Sequence, residues 1–497
     1  MKPIIKPSIP KNKFHLTQII ASILDVFTNK IVSDFLFYFK DLKSSLLKCL
    51  MVLNKKHYLL AILLPLFTII FYSLSLPVSF DEAWTYLNFS TKDFFVSLSY
   101  YPAPNNHILH SLITNFTTFI LPSFPLLSLR LPTIIISILT SLFLLYSITK
   151  HHSKKVSIII TGVSSLLFMN IYYSYMSRGY ALVLMFFILS LHFTLNLHKN
   201  TSSNRDWYWL TICSILGFFT MPSYLYAFVI INTILLAATC TKSAILRQLK
   251  FTFITIIVVF ILYLPTIIVS GLDSLISNKF VTPIPREDVL SRLPQFLFES
   301  LESIMGFNSY ISLILILISF VVFIKNKQWF HTKTLIILIT LPPLLLLAHS
   351  VIPFSRTFNY YGFLIILLFS ISIRSIIEKV KLSVTIIALI FIQFLLIFNF
   401  NARIYKYEKY SILANELNSK IAHKGSSYLV NSGLIDAYLL YYLKTENVTN
   451  YNIEYSPTSR LNADTINKSN YILTDRNVDD TKMKKPIYSN EFFNLYD

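Results

Sequence analysis

The chain has 497 residues, of which 54% are hydrophobic and only 13% charged, with mean hydropathy +0.59; an ordinary soluble domain carries about 25% charged residues. Together with only eight glycines and an abundance of Ile, Leu, Phe and Tyr, these values exclude a water-soluble fold and an alternating outer-membrane barrel, and describe an all-α polytopic membrane protein. The net charge of +19 is scattered as short Lys/Arg clusters between apolar runs, which is the pattern of headgroup anchoring and argues against nucleic acid as a partner.

Residues 1–57 hold ten Lys and the run FHLTQIIASILDVFTNKIVSDFLFYFKDLKSSLLKCL, in which Ile19, Ile20, Ile23, Val26 and Phe27 recur at helical spacing. This predicts a basic, amphipathic cytoplasmic segment lying in the interface. The apolar run that follows lies too deep in the chain, and lacks a small-residue cleavage site, to be an ordinary signal peptide. A span needs about 20 mostly apolar residues. Eleven segments qualify: 58–77, 128–149, 156–174, 180–198, 207–220, 224–240, 251–270, 309–324, 334–349, 361–378 and 382–400. An odd number puts the termini on opposite sides. Loops near 150–156, 198–206, 241–250, 325–333 and 374–381 hold fourteen Lys/Arg, against six in loops 78–126, 172–179, 271–308 and 350–360. Because Lys and Arg accumulate on the cytoplasmic side, the N-terminus is expected inside and the C-terminus outside. Residues 58–400 then form the membrane module, with 78–126 as its first outer loop. Residues 401–497 alternate helix-like YSILANELNSKIA and GLIDAYLLYYLK with strand-like SSYLV and SNYILTD, and are expected to form a small extracytoplasmic α/β domain. Cys49, Cys213 and Cys240 fall in or beside apolar segments without metal-ligand spacing, and read as packing residues.

The outer loop is where the chemistry concentrates. Its first part, VSFDEAWTYLNFSTKDFFVSLSYYPAPNNHILHSL, residues 78–112, places Asp81 and Glu82 at the end of an apolar span. A carboxylate there is costly unless it is paired, hydrated or used. Two readings compete: Ser79 and Asp81 stand where a helix N-cap belongs, or the acids serve a site. Further along, Asn105, Asn106 and His107 open a second apolar helix. If it is helical from Asn106, His107 shares a face with His110 and Ser111 and looks toward a pocket under the acids. A His pair three apart, without the Glu of zinc proteases, is weak evidence for a metal; a divalent ion stays possible and no ligand is assigned.

Four motifs in order carry a resemblance. They are FDEAWTY after the first span, PNNHILHSL, the RLP that opens LRLPTIIISILTSLFLLY, and the RGYAL that opens SRGYALVLMFFILSL. Over roughly residues 58–400 the chain resembles polyprenyl-phosphate-sugar-dependent glycosyltransferases of the GT-C fold, the superfamily of protein O-mannosyltransferases and the lipid A aminoarabinose transferase. That resemblance implies sugar transfer at the outer membrane face, from a polyprenyl-phosphate-linked donor to a protein, lipid or glycan acceptor, in the service of cell-envelope glycosylation. By the same analogy Asp81 is the general base and Glu82 orients the loop or the acceptor. With one acid at the centre and a phosphate leaving group, single displacement with inversion is expected. Asn105, Asn106, His107, His110 and Tyr175 are expected to line the donor or acceptor pocket. The developing phosphate charge calls for cations, and Arg178, Arg356 and Lys279 stand at outer positions suited to it; snorkelling toward headgroups competes for each. Tyr172, Tyr173, Tyr175 and Tyr180 cluster around Arg178, where an aromatic belt is the ordinary reading. His349 is a lone histidine at the end of an outer helix. A rival function is a transporter or lipid-linked-sugar flippase, but such proteins place charges at the bilayer midplane and carry inverted repeats, and neither is visible here. A non-catalytic assembly subunit would make the two acids dispensable.

Overall fold

The computed structural model describes residues 56–277, 282–418, 427–430, 433–448, 451–455, 471–475, 486, 488–489 and 492–496. The chain divides into two compact units, Met1–Tyr58 and Leu59–Asp497, and the second holds almost all of the described residues. The amphipathic N-terminal segment and Lys279 lie outside them.

Every apolar run expected to span is helical. Among the described residues five helices are long and apolar enough to cross a membrane alone: α5 (Pro125–His151), α8 (Tyr180–Lys199), α11 (Lys242–Ser270), α15 (Trp329–His349) and α18 (Leu382–Tyr407). The count rises to eight if each of three bent pairs is one span. The runs at 207–220 and 224–240 form shorter helices, α9 (Asn204–Thr220) and α10 (Tyr224–Thr239), and the run at 361–378 is divided between α16 (Tyr360–Ser372) and α17 (Arg374–Lys379). The central helix is α8, whose apolar window is 72% buried, whereas that of α11 is 17% buried and presents its apolar surface outward. Helices this apolar all round are stable only against protein or lipid on every side.

The three bends shape one end of the bundle. The first lies between α1 (Lys56–Ser75) and the short helix α2 (Phe80–Thr85), with Ile62–Ser75 and Phe80–Ser90 inclined by 74°. Pro77 has no N–H with which to continue α1, and Ser79 starts α2 as a capping box: its hydroxyl accepts from Glu82 N, and Glu82 accepts from Ser79 N. The second bend, 69°, separates α6 (Lys154–Ser164) from α7 (Phe168–Tyr175), and the third, 93°, separates α13 (Arg286–Met305) from α14 (Ser309–Lys325). At the third bend Gly306 adopts φ +85°, a left-handed conformation open to glycine at little cost.

After α18 the chain turns at Glu408 into α19 (Lys409–Asn418), β1 (Ser427–Val430), α20 (Gly433–Thr445), β2 (Asn452–Tyr455), β3 (Tyr471–Asp475), β4 (Tyr488–Ser489) and β5 (Phe493–Tyr496). The sheet has the order β2-β1-β3-β5-β4. Strands β1–β2 and β1–β3 pair in parallel, and β3–β5 and β4–β5 antiparallel. Its buried Tyr428, Val430, Leu473 and Leu495 share one apolar cluster with Val78, Ala83, Tyr86 and Leu129 of the membrane module. The C-terminal segment is thus seated on the loop that carries Asp81 and Glu82.

Candidate functional site

Asp81 and Glu82 are neighbours in sequence with opposite surroundings. Glu82 is fully buried, and each of its oxygens accepts two hydrogen bonds. Oε1 takes Arg130 Nε at 2.9 Å and Ser177 N at 3.0 Å; Oε2 takes Arg130 Nη2 at 2.7 Å and Ser79 N at 3.0 Å. Burial alone would raise its pKa, but the Arg130 charge and these donors hold it below the usual carboxylate value. Arg130 gives its remaining N–H groups to the carbonyls of Ser73, Leu76 and Pro77, the groups left without partners where α1 ends. The pair therefore fixes three things at once: the end of α1, the start of α2 and the loop holding Ser177 and Arg178. Glu82 is placed to orient the loop, with no oxygen turned toward a pocket.

Asp81 lies on the other side of α2, with its side chain 26% exposed. Two guanidiniums face its Oδ2: Arg178 Nη2 at 3.6 Å and Arg356 Nη1 at 3.7 Å. Both distances exceed hydrogen-bonding range, so the contacts are electrostatic and leave the carboxylate free to bond something else. Arg178 is itself buried, donating from Nη1 to the Asn105 carbonyl at 3.1 Å. Arg356 is a quarter exposed and lies over the Phe354 ring, 4.4 Å from its centroid. The Nε–H groups of both arginines are buried without a partner among the described residues, which is costly unless a ligand or water satisfies them.

Beside Arg356 is a cavity of about 240 Å³ lined by Tyr101, His107, Tyr180, Tyr226, His349 and Arg356, among others. The helix α4 (Ile108–Ile120) begins two residues later than Asn106, with His107 as its N-cap. The two histidines consequently do not share a pocket-facing side. His107 Nδ1 accepts from Gly179 N at 2.7 Å, and its ring stands edge-on to Tyr180 at 5.1 Å. His110 is buried against Thr133 at 3.0 Å and is absent from the cavity wall. Asn106 is a staple for the turn before α4, donating to the carbonyls of Ser97 and Tyr100. Tyr175 is buried beneath Arg130, whose Cζ is 5.5 Å from its ring centroid, away from the cavity. Of the residues expected in the site, the structure brings together Asp81, Asn105, His107, Arg178 and Arg356.

Several participants escaped the sequence. Arg130 was visible only as the first letter of the RLP motif. Tyr180, read as belt, forms cavity wall between His107 and Arg356, and its carbonyl accepts from Asn359 Nδ2 at 3.1 Å. Tyr226, on α10, reaches His349 Nδ1 at 2.7 Å across the cavity wall, a pairing no local pattern predicts. Glu408 accepts from Tyr172 Oη and from Ser411 Oγ, which also meets Tyr438 of α20; burial raises its pKa. The RGY sequence acquires a physical reason, since a Cβ on Gly179 would lie 2.7 Å from Thr220 Cγ2 and 2.9 Å from His107 Cβ. For a divalent ion the surroundings fit poorly. The Asp81 carboxylate already faces two cations, and among the described residues no group of three or more His, Cys, Asp or Glu could hold a metal.

No family model matches the chain, and no curated protein sequence matches it. Among solved structures it is similar to ArnT from Cupriavidus metallidurans in the apo state, at 10% identity and TM-score 0.58, over 86% of this chain and 95% of that one. It is also similar to the Archaeoglobus fulgidus oligosaccharyltransferase in complex with Zn and sulfate, at 11% identity and TM-score 0.46, over 84% of this chain and 68% of that one. At such identities the likeness is one of fold. The chain has the GT-C fold that the order of its four motifs resembles.

Proposed function

We propose that the protein transfers a glycosyl group from a polyprenyl-phosphate-linked donor to a hydroxyl acceptor at the outer membrane face, with inversion and with Asp81 as general base. The observation that carries this reading is the partly exposed Asp81 carboxylate held loosely between Arg178 and Arg356 at 3.6 and 3.7 Å. An acceptor hydroxyl is a weak nucleophile, and a carboxylate within reach of its proton makes it a better one. As the acceptor oxygen bonds to the anomeric carbon, the bond from that carbon to the phosphate oxygen breaks. The electron pair leaves with the phosphate, and the acceptor proton passes to Asp81. Developing charge on the phosphate is met by guanidiniums already aimed at the place.

The resting contacts suit this sequence. Without a donor the two arginines face Asp81; an arriving phosphate draws them by forming shorter, charge-assisted bonds and leaves the carboxylate to the acceptor. The unpartnered Nε–H groups of Arg178 and Arg356 supply further donors. The cavity of about 240 Å³ is smaller than the roughly 300–1,000 Å³ of whole-ligand pockets, so it takes the head of the donor while the prenyl chain stays in lipid. Glu82 and Arg130 act at one remove by holding the loop. The N-terminus is assigned to the cytoplasm and the C-terminal segment to the outside by the distribution of Lys and Arg.

The test is transfer by membranes carrying Asp81→Asn, with protein abundance followed in parallel. Loss of transfer at normal abundance supports the assignment. Undiminished transfer ends it, and lipid-linked-sugar flipping without transfer would establish the flippase reading instead.

A further inference from the structure

We propose that a groove along the start of α18 is a binding site for an anionic phospholipid, with its phosphate at Lys379 and Lys381 and one acyl chain lying along the helix. An apolar cavity of about 590 Å³ runs between α18 and its neighbours α6, α14, α16 and α17, walled by Val380, Val384, Ala388, Ile392 and Leu396 together with Ile366. From Val384 to Leu396 a helix rises about 18 Å, close to the depth of one leaflet of a hydrocarbon core about 30 Å thick.

The charge at one end of this groove matches a headgroup. Val380 lies in its wall, and the residues on either side, Lys379 and Lys381, are exposed. Lys155, at the start of α6, donates to the carbonyls of Glu378 and Val380 at 2.8 and 2.7 Å, and so fixes the turn that presents them. Arg374 is close by, 3.9 Å from Glu378, the acidic group of the same turn. Cations gathered at the mouth of an apolar cleft between membrane helices are the chemistry of anionic headgroup recognition. The place is distinct from the proposed transfer site. Glu408, which bonds Tyr172, is beyond the far end of α18, and the helix's 26 residues separate the two ends by about 39 Å. The inference is therefore independent of the glycosyl-transfer reading.

The test uses the full-length protein, delipidated in detergent, with phosphatidylglycerol, phosphatidylcholine of the same acyl composition, inorganic phosphate and polyprenyl phosphate as separate probes. Bound lipid is read by native mass spectrometry and thermal stabilisation by the unfolding midpoint. Phosphatidylglycerol is expected to be retained and to raise the midpoint, and phosphatidylcholine and inorganic phosphate to do neither. The double variant Lys379→Gln/Lys381→Gln should bind phosphatidylglycerol about 30-fold more weakly, and Ala388→Phe, which fills the groove, should abolish retention. If Ala388→Phe does not fold, the exposed lysine pair still decides. Equal binding of phosphatidylcholine, unchanged affinity in the lysine variant, an equal effect of inorganic phosphate, or displacement by polyprenyl phosphate would each overturn the proposal.

Discussion

Glu82 and Arg130 form a buried ion pair, Oε2 to Nη2 at 2.7 Å with both side chains at most 2% exposed, and between them every donor and acceptor is used. Removing one partner from such a pair leaves an uncompensated buried charge, at a cost of about 3–5 kcal/mol. Glu82→Gln is accordingly expected to lower the yield of monodisperse protein and its unfolding midpoint well before any effect on turnover is visible. Combining Glu82→Leu with Arg130→Leu should recover only part of the loss, because the carbonyls of Ser73, Leu76 and Pro77 would still lack donors. Size-exclusion profiles and midpoints of the single and double variants check both statements.

Asp81→Asn should behave in the opposite way. Among the described residues the side chain has only its two loose arginine contacts, so abundance and midpoint are expected to stay near wild type. Turnover should fall by about 10²–10⁴-fold, the usual contribution of a positioned base. Kinetics on detergent-purified protein normalised to folded material makes the comparison.

This contrast shows how far the sequence reaches. Apolar run length located the helices, and the capping signal at Ser79 proved correct in its geometry, because both depend on residues within one turn of each other. The separation of Asp81 from Glu82 was not legible: it depends on Arg130, 48 positions away, whose guanidinium draws one acid inward and leaves the other outward. The same holds for His110, which is held by Thr133, 23 positions away, while His107, as N-cap with φ −89° and ψ 85°, leaves the helical face on which the two rings would lie together. Bends such as the 69° break between Ser164 and Phe168, inside the run 156–174, are also why eleven apolar runs do not translate directly into eleven straight spans. A short polar interruption reads the same whether the helix continues, turns back or kinks.

Gly179 offers a test of the RGY motif. Gly179→Ala would place a Cβ 2.7 Å from Thr220 Cγ2 and 3.0 Å from His107 Nδ1, so either the helix start or the His107 ring must shift. Turnover is expected to fall at least tenfold with a smaller change in abundance, since a displacement near 1 Å beside a reaction centre is costly to rate. A companion Thr220→Ser, which removes the nearer methyl, should restore part of the activity. No recovery would locate the strain at His107.

The two arginines should separate by burial. Arg356 is a quarter exposed and Arg178 is 2% exposed with a backbone partner at Asn105. Arg356→Ala is expected to raise the donor KM with normal abundance, whereas Arg178→Ala should lower abundance as well as turnover. Arg178→Lys should not rescue, because an ammonium cannot reproduce the planar set of donors. Donor titrations at fixed acceptor distinguish the two patterns.

His107 makes stability depend on pH in a definite direction. Burial, then the nearby Arg178, His110 and Arg356 charges, push its pKa well below the usual histidine value, and its Nδ1 acts as acceptor for Gly179 N, which requires the neutral ring. The unfolded chain, with an ordinary pKa near 6.5, takes up a proton that the folded protein refuses. Stability should therefore be constant above about pH 6.5 and fall as pH drops below it, by up to about 1.4 kcal/mol per pH unit from this residue. Asn at the same position can accept from Gly179 N, is a good N-cap and does not titrate. The midpoint of His107→Asn should consequently decline less steeply than wild type between pH 6.5 and 5, and parallel slopes in that window would show that the ring is charged or exposed in the folded protein.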